Sequence, residues 1–203
     1  MNRLLLVPGS FNPITNAHID MARAAQEKTG AGKVYFIPAH DTYVAQKKSF
    51  IPGKIRCKLI EEATPEDMSC IPLEVNSVLP AKTYDTVTKI RESLDQDSGF
   101  CDFYICFGMD NIRTLSTWYH WRPLVEENMF VACAREGQNL CKALEDAGLA
   151  EYKEHFLEIR IPENHISSSL VRSLCEQGRF EEVKGIVPEN VYEYLRRYYD
   201  GLN

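Results

Sequence analysis

The stretch Leu4-Leu5-Leu6-Val7-Pro8-Gly9-Ser10-Phe11-Asn12-Pro13-Ile14-Thr15-Asn16-Ala17-His18 decides the fold. Its four consecutive apolar residues, stopped by Pro8-Gly9, read as a short buried strand. The apolar spacing of Ile19, Met21, Ala22 and Ala25 then reads as one face of a helix over 16–29. Between the two, Gly9 lets the backbone turn and approach a ligand closely, while Asn16 as N-cap places His18 in the first helical turn. Unpaired amides at a helix start attract anions. An imidazole and the Thr15 hydroxyl among them can donate to phosphate oxygens. Gly9, Thr15 and His18 therefore form a candidate phosphate cradle. A plain turn with His18 facing solvent would explain each residue singly, but it does not explain why they occur together.

The same alternation continues outward to the end of the chain. Apolar runs at 34–38, 70–75, 103–107, 129–132 and 156–161 read as further strands. Helical stretches fall near 54–63, 84–96, 110–118 and 139–148, with Val87, Ile90 and Leu94 at helical spacing in the second of these. Each return to a parallel neighbour needs a crossover, so the pattern predicts an α/β fold, a Rossmann-like doubly wound and mostly parallel sheet. Ligands of such sheets bind beyond the carboxyl ends of the strands. Two helices, 167–177 and 189–200, follow without another strand and form a C-terminal helical extension. Gly178 closes the first and Pro188 opens the second. No linker or repeat separates a second domain, so residues 1–203 are expected to form one.

Composition narrows the partners. The 203 residues carry 23 Lys and Arg against 29 Asp and Glu, a net charge of −6, which disfavours general binding to nucleic acid or to an anionic membrane. Hydrophobic residues at 44% and charged residues at 26% suit an ordinary folded chain. None of the seven cysteines stands two residues from another, so zinc-knuckle and redox-pair spacings are missing. Several lie inside apolar runs, which points to buried thiols and a reducing, cytoplasmic setting. The run 4–7 is too short for a signal-peptide core. Assembly as a homo-oligomer stays open.

Competing phosphate and hydrolase motifs fail on reading. No Gly-x-x-x-x-Gly-Lys-Ser/Thr, Gly-x-Ser-x-Gly or His-Glu-x-x-His occurs, and Gly30-Ala31-Gly32 precedes a strand instead of following one. A second candidate site is Ile166-Ser167-Ser168-Ser169-Leu170-Val171-Arg172, where three hydroxyls and a guanidinium at a helix start can converge on one anion. A serine cap beside a surface arginine is the simpler alternative. In between, Asp110 stands just after Gly108 at a strand end, where a carboxylate can accept from ribose hydroxyls or cap a helix. Thr117-Trp118-Tyr119-His120-Trp121 supplies flat rings suited to stacking, with Trp121 better placed in the core.

These motifs resemble the nucleotidyltransferase superfamily with the His/Thr-x-x-His motif, and within it the nicotinate and nicotinamide mononucleotide adenylyltransferases. The first segment is similar to the family's motif, with Ala17 where many members have Gly. The second resembles Ile-Ser-Ser/Ala-Thr-x-Ile/Val-Arg, with Ser169 in place of Thr. The resemblance implies that Gly9, Ser10, Phe11, Thr15, His18, Gly108, Asp110, Ile166, Ser167, Ser168 and Arg172 bind ATP. It implies that Ser10, Phe11, Lys47, Thr83, Tyr84, Thr86, Trp118 and Arg135 bind the mononucleotide, and His40 joins Lys47 as a possible phosphate ligand. His18 and Arg172 are the expected catalytic pair, with Mg²⁺ carried on ATP and no metal site in the protein. The implied reaction is attack of the mononucleotide phosphate on the α-phosphorus of ATP, with release of pyrophosphate. Another adenylyl- or cytidylyltransferase of the same fold, or a nucleotide-binding regulator without catalysis, are the alternatives. Thr117-Trp118-Tyr119 resembles nicotinate enzymes and Asn12 to Asn16 resembles dual-specificity ones, with the balance toward nicotinate.

Overall fold

The computed structural model describes residues 2–46, 49–98, 101–161 and 166–201. Six strands, β1 (Asn2–Gly9), β2 (Lys33–Pro38), β3 (Met68–Cys70), β4 (Cys101–Gly108), β5 (Met129–Ala134) and β6 (Phe156–Arg160), form one parallel sheet in the order β3-β2-β1-β4-β5-β6. The order reverses between β1 and β4, the topological switch point of a doubly wound sheet. Leu6 of β1 is in register with Ile105 of β4, and Gly108 of β4 with Cys133 of β5. The helices are α1 (Asn16–Thr29), α2 (Asp41–Val44), α3 (Gly53–Ala63), α4 (Thr83–Ser98), α5 (Ile112–Leu115), α6 (Trp121–Glu126), α7 (Leu140–Asp146), α8 (Ser168–Glu176) and α9 (Glu189–Asp200).

Two expected elements differ. The strand expected over 70–75 is only three residues long, because past Ile71 the chain turns: the Asn76 N–H bonds the Pro72 carbonyl at 2.9 Å. Ile71 and Val75 gave a β-like run, but Pro72 between them has no N–H to give a ladder. The single helix expected over 110–118 is a 3₁₀ turn at Met109–Asn111 followed by the four-residue α5, and α6 starts only after His120, whose φ of 51° is left-handed. Ile112, Leu115, Leu124 and Val125 are all fully buried, so the apolar positions are satisfied by two short helices instead of one.

Contacts along the chain gather into two compact units, Met1–Pro8, Met21–Tyr35 and Ala81–Glu163 in the first, Gly9–Asp20, Phe36–Pro80 and Asn164–Asn203 in the second. The first is centred on Leu5, Leu6, Ile105 and Phe130, all inaccessible, with Phe130 stacked on Phe156 at 5.2 Å. Burying such side chains contributes roughly 1.5–3 kcal/mol each. In the second, α3 packs on α9, and the Asn190 side chain donates to the Leu59 carbonyl at 3.1 Å. Val171 of α8 and Val191 and Leu195 of α9 complete its core. Cys70, Cys106, Cys133 and Cys175 are buried free thiols and Cys141 is exposed; burial pushes the Cys106 thiol well up. Among the described residues, no helix is long and apolar enough to cross a membrane.

Candidate nucleotide site

In the second unit the first motif closes on itself. Phe11 takes a left-handed φ of 44° and turns its ring back over Gly9, where a Cβ would stand 2.7 Å from the ring's Cζ. Gly9 is thus required for close approach. The buried Phe11 ring meets His18 edge-on at 5.3 Å and Phe36 edge-on at 5.4 Å. Helix α1 begins at Asn16, one residue earlier than an Asn16 N-cap would place it. The Thr15 carbonyl accepts from the His18 N–H at 3.0 Å, while the Asn16 side chain donates instead to the Gly185 carbonyl at 2.8 Å. Asn16 is therefore not the cap, because a distant carbonyl competes for its amide; His18 still stands in the first turn.

The Thr15 backbone N–H donates to Nδ1 of His18 at 3.0 Å, and the Thr15 hydroxyl lies 2.7 Å from the same nitrogen. A backbone N–H can only donate, so Nδ1 is the acceptor and the neutral ring carries its proton on Nε2. Burial lowers the His18 pKa to about 4. At neutral pH the residue is an oriented, uncharged Nε2–H donor.

The second motif reaches the same loop. Ser167 caps α8, its hydroxyl oxygen accepting from the Leu170 N–H at 3.1 Å. Ser168 donates its hydroxyl proton to the Pro13 carbonyl at 2.8 Å. That hydroxyl has one proton, so what Ser168 can still donate to an anion is its backbone N–H. Arg172 donates from Nη1 to the Asn12 carbonyl at 2.7 Å and from Nη2 to Ser169 at 3.1 Å. A guanidinium has five N–H donors, so these two bonds leave capacity for phosphate. Ile166, half-buried, leads into the cap. Residues 12–15 thus carry the bonds of both Arg172 and His18.

Two residues that the sequence reading passed over organise this unit. Asn12, wholly inaccessible, accepts from the Ile51 N–H at 2.9 Å and donates to the Ser49 carbonyl at 3.4 Å. Arg56 is 1% exposed and bonds three carbonyls and Asp41. Its signal was present: on α3 it falls on the stripe of Gly53, Leu59 and Ile60, where a charge is out of place unless paired. His40 is not a phosphate ligand in this arrangement. Its Nδ1 accepts from the Thr42 N–H at 3.2 Å and its Nε2 bonds the Ser77 carbonyl at 3.2 Å, so both nitrogens are taken. Lys47 lies outside the described residues.

The first unit holds the remaining candidates. Gly108 ends β4, and the exposed Asp110 accepts from Nε2 of Gln138 at 2.9 Å. The Oε1 of Gln138 in turn accepts the Arg135 N–H at 2.7 Å. Gln138 therefore links Asp110 to Arg135, a role for which an uncharged loop side chain gives no sequence signal. Trp118 is half-buried, edge-on to Phe107 at 6.2 Å, with its indole N–H 3.4 Å from Thr114. Trp121 meets Tyr152 edge-on at 5.6 Å. Thr83 opens α4, Thr86 is buried, and Tyr84 stacks on His120 at 5.2 Å with the planes 22° apart. Among the described residues, no cluster of three or more His, Cys, Asp or Glu side chains could hold a metal ion.

A glycine turn after a strand, an oriented neutral histidine at the next helix start, and an arginine from a later helix on the same loop define an α/β protein of the nucleotidyltransferase type. The chain belongs to the cytidylyltransferase-like family, whose profile matches residues 6–174. It is 26% identical over 196 residues to a probable nicotinate-nucleotide adenylyltransferase of Dehalococcoides mccartyi, covering 95% of this chain and 94% of that one. A protein of the same description from Enterococcus faecalis is 28% identical, over 94% of this chain and 81% of the other. Among solved structures, Plasmodium falciparum nicotinic acid mononucleotide adenylyltransferase complexed with NaAD superposes with a TM-score of 0.73 at 21% identity, covering 98% of each chain, a likeness of fold.

Proposed function

We propose that the protein transfers the adenylyl group of MgATP to nicotinate mononucleotide, giving the dinucleotide and pyrophosphate in NAD biosynthesis. The observation that carries this reading is the shared loop: residues 12–15 fix His18 as an Nε2–H donor and also bind Ser168 and Arg172. A phosphate oxygen of the mononucleotide attacks the α-phosphorus, and the bond to the bridging oxygen of the leaving pyrophosphate breaks. The nucleophile is already an anion at neutral pH, so no general base is needed; rate comes from alignment and from donors aimed at developing charge. His18 donates to the α-phosphate, and Arg172 with the amides of Ser167 and Ser168 holds the departing pyrophosphate. Gly9, Ser10, Phe11, Gly108, Asp110 and Ile166 complete the ATP contacts, while Thr15, buried and with its N–H and hydroxyl both given to Nδ1 of His18, acts through that ring and not on phosphate directly.

Ser10, Phe11, Lys47, Thr83, Tyr84, Thr86, Trp118 and Arg135 serve the mononucleotide, with Trp118 stacking on its pyridine ring. Mg²⁺ enters as part of the substrate, held by phosphate oxygens and water. The relatives named for nicotinate-nucleotide adenylyl transfer support the choice of acceptor. In this reading the chain works as one nucleotidyltransferase domain in the cytoplasm. Pyrophosphate release with ATP or CTP, each paired with nicotinate mononucleotide, nicotinamide mononucleotide or phosphopantetheine, tests it. ATP with nicotinate mononucleotide should give the highest kcat/KM. Nucleotide binding without release in any pairing would make the protein a sensor and overturn the proposal.

A further inference from the structure

Arg56 spends four hydrogen bonds on three separate loops. Its Nε donates to the Ile51 carbonyl at 3.0 Å and Nη1 to the Ser10 carbonyl at 2.7 Å. Nη2 donates both to the Ala39 carbonyl at 2.8 Å and to Oδ1 of Asp41 at 2.7 Å. The Asp41 side chain is 43% exposed while that of Arg56 is fully enclosed, so the carboxylate stays solvated and the guanidinium is held by carbonyl dipoles. This arrangement acts on the peptide units of the cradle. The C=O and N–H of a trans peptide point in opposite directions. Drawing the Ser10 carbonyl onto Arg56 therefore turns the Phe11 N–H away from it. The Gly9 carbonyl is likewise occupied, by the Ala39 N–H at 2.8 Å. Left-handed backbone such as that of Phe11 is the geometry in which successive amides converge on an anion.

We propose that Arg56 is a positioning residue of the nucleotide site: by holding the Ser10 carbonyl inward it keeps the Phe11 amide turned outward as a phosphate donor. The inference rests on reading Gly9 to Phe11 as a phosphate cradle, and it is tested by binding, independently of turnover. Lysine keeps the charge but cannot make a planar fork, so it cannot serve Ser10, Ile51 and Ala39 together.

The test uses the full chain labelled with ¹⁵N-phenylalanine, the Phe11 resonance being assigned by its loss in Phe11→Tyr, and a non-hydrolysable MgATP analogue as probe. The wild-type Phe11 amide should shift on saturation. In Arg56→Lys the dissociation constant should rise tenfold or more and the Phe11 shift disappear, with the other phenylalanine amides keeping their positions. If Arg56→Lys does not fold, Asp41→Asn replaces it, with an expected weakening of at least threefold and a reduced Phe11 shift. A folded Arg56→Lys, or in its place Asp41→Asn, that binds within twofold of wild type and keeps the Phe11 shift overturns the inference. So does wild-type binding without a Phe11 shift, even where adenylyl transfer is found. A wild type that shifts Phe11 but transfers nothing overturns the proposed function and leaves this inference standing.

Discussion

Thr15 gives its backbone N–H to Nδ1 of His18 across 3.0 Å, which leaves that nitrogen no room for a proton of its own. Protonating the ring means breaking this bond and placing a charge where solvent is scarce. Both effects act in the direction of the pKa of about 4 that burial gives His18. In the unfolded chain the ring titrates near its ordinary 6.5. Above that pH neither state holds the proton, and between about 6.5 and 4 only the unfolded state does. Stability therefore falls as pH drops through that window and levels off below it, by at most about 3 kcal/mol. His18→Asn should remove this part of the slope. Melting temperatures from pH 7 to 4 for both proteins check it, and parallel slopes would count against the tautomer assigned to His18.

The same bond predicts what His18 does in turnover. As a fixed neutral donor it strengthens only when charge builds on the α-phosphate, so its loss should appear in kcat. His18→Ala is expected to lower kcat by roughly 10²–10³, the scale for removing one preorganised donor, with mononucleotide affinity within a few-fold of wild type. Steady-state kinetics with direct mononucleotide titration separates the two. An unchanged kcat removes His18 from the mechanism.

Arg172 has two duties, to the Asn12 carbonyl and to an incoming anion. Lysine retains the charge but cannot meet both from one planar group. Arg172→Lys should therefore lose about tenfold to a hundredfold in kcat/KM for ATP, with the mononucleotide KM little changed. A KM effect confined to the mononucleotide would place Arg172 at the wrong phosphate.

Gly9→Ala probes the packing beneath the cradle. The added Cβ meets the Phe11 ring at 2.7 Å, and that ring is boxed between His18 and Phe36. Overpacking of this kind costs about 1–3 kcal/mol. Because the ring must shift against His18, ATP affinity should fall along with melting temperature. A variant as stable and as tight-binding as wild type would mean that the ring moves freely.

Much of this was legible because local chemistry and global topology agreed. The run 4–7, Gly9 and the apolar face of α1 each signalled the same strand-turn-helix unit, and Ser167 announced the start of α8. What the sequence hid depended on contacts between segments far apart in the chain. Asn16 looked like a cap because nothing nearby reveals the Gly185 carbonyl that takes its side chain. Ser168 looked like a free hydroxyl because Pro13 is 155 residues away. Arg56 and Gln138 bridge loops, and neither periodicity nor composition encodes a bridge. The run 70–75 failed for the opposite reason: its apolar composition was real, but Pro72 decided the backbone.

Trp118 separates a stacking role from a packing role. A tryptophan belonging to the core costs about 3–5 kcal/mol on truncation to alanine. Trp118 is half-buried, touches Phe107 only edge-on, and has a long indole N–H contact to Thr114. A ring held this lightly is worth more to a ligand than to the fold, and stacking of a flat base contributes about 1–3 kcal/mol. Trp118→Ala should therefore raise the mononucleotide KM roughly tenfold or more, leave the KM for ATP within twofold, and lower the melting temperature only slightly. Trp118→Phe, which keeps a flat ring, should recover most of the loss. Should Trp118→Ala instead melt far below wild type with the mononucleotide KM unchanged, the ring belongs to the core and the acceptor must be sought against Tyr84 and His120.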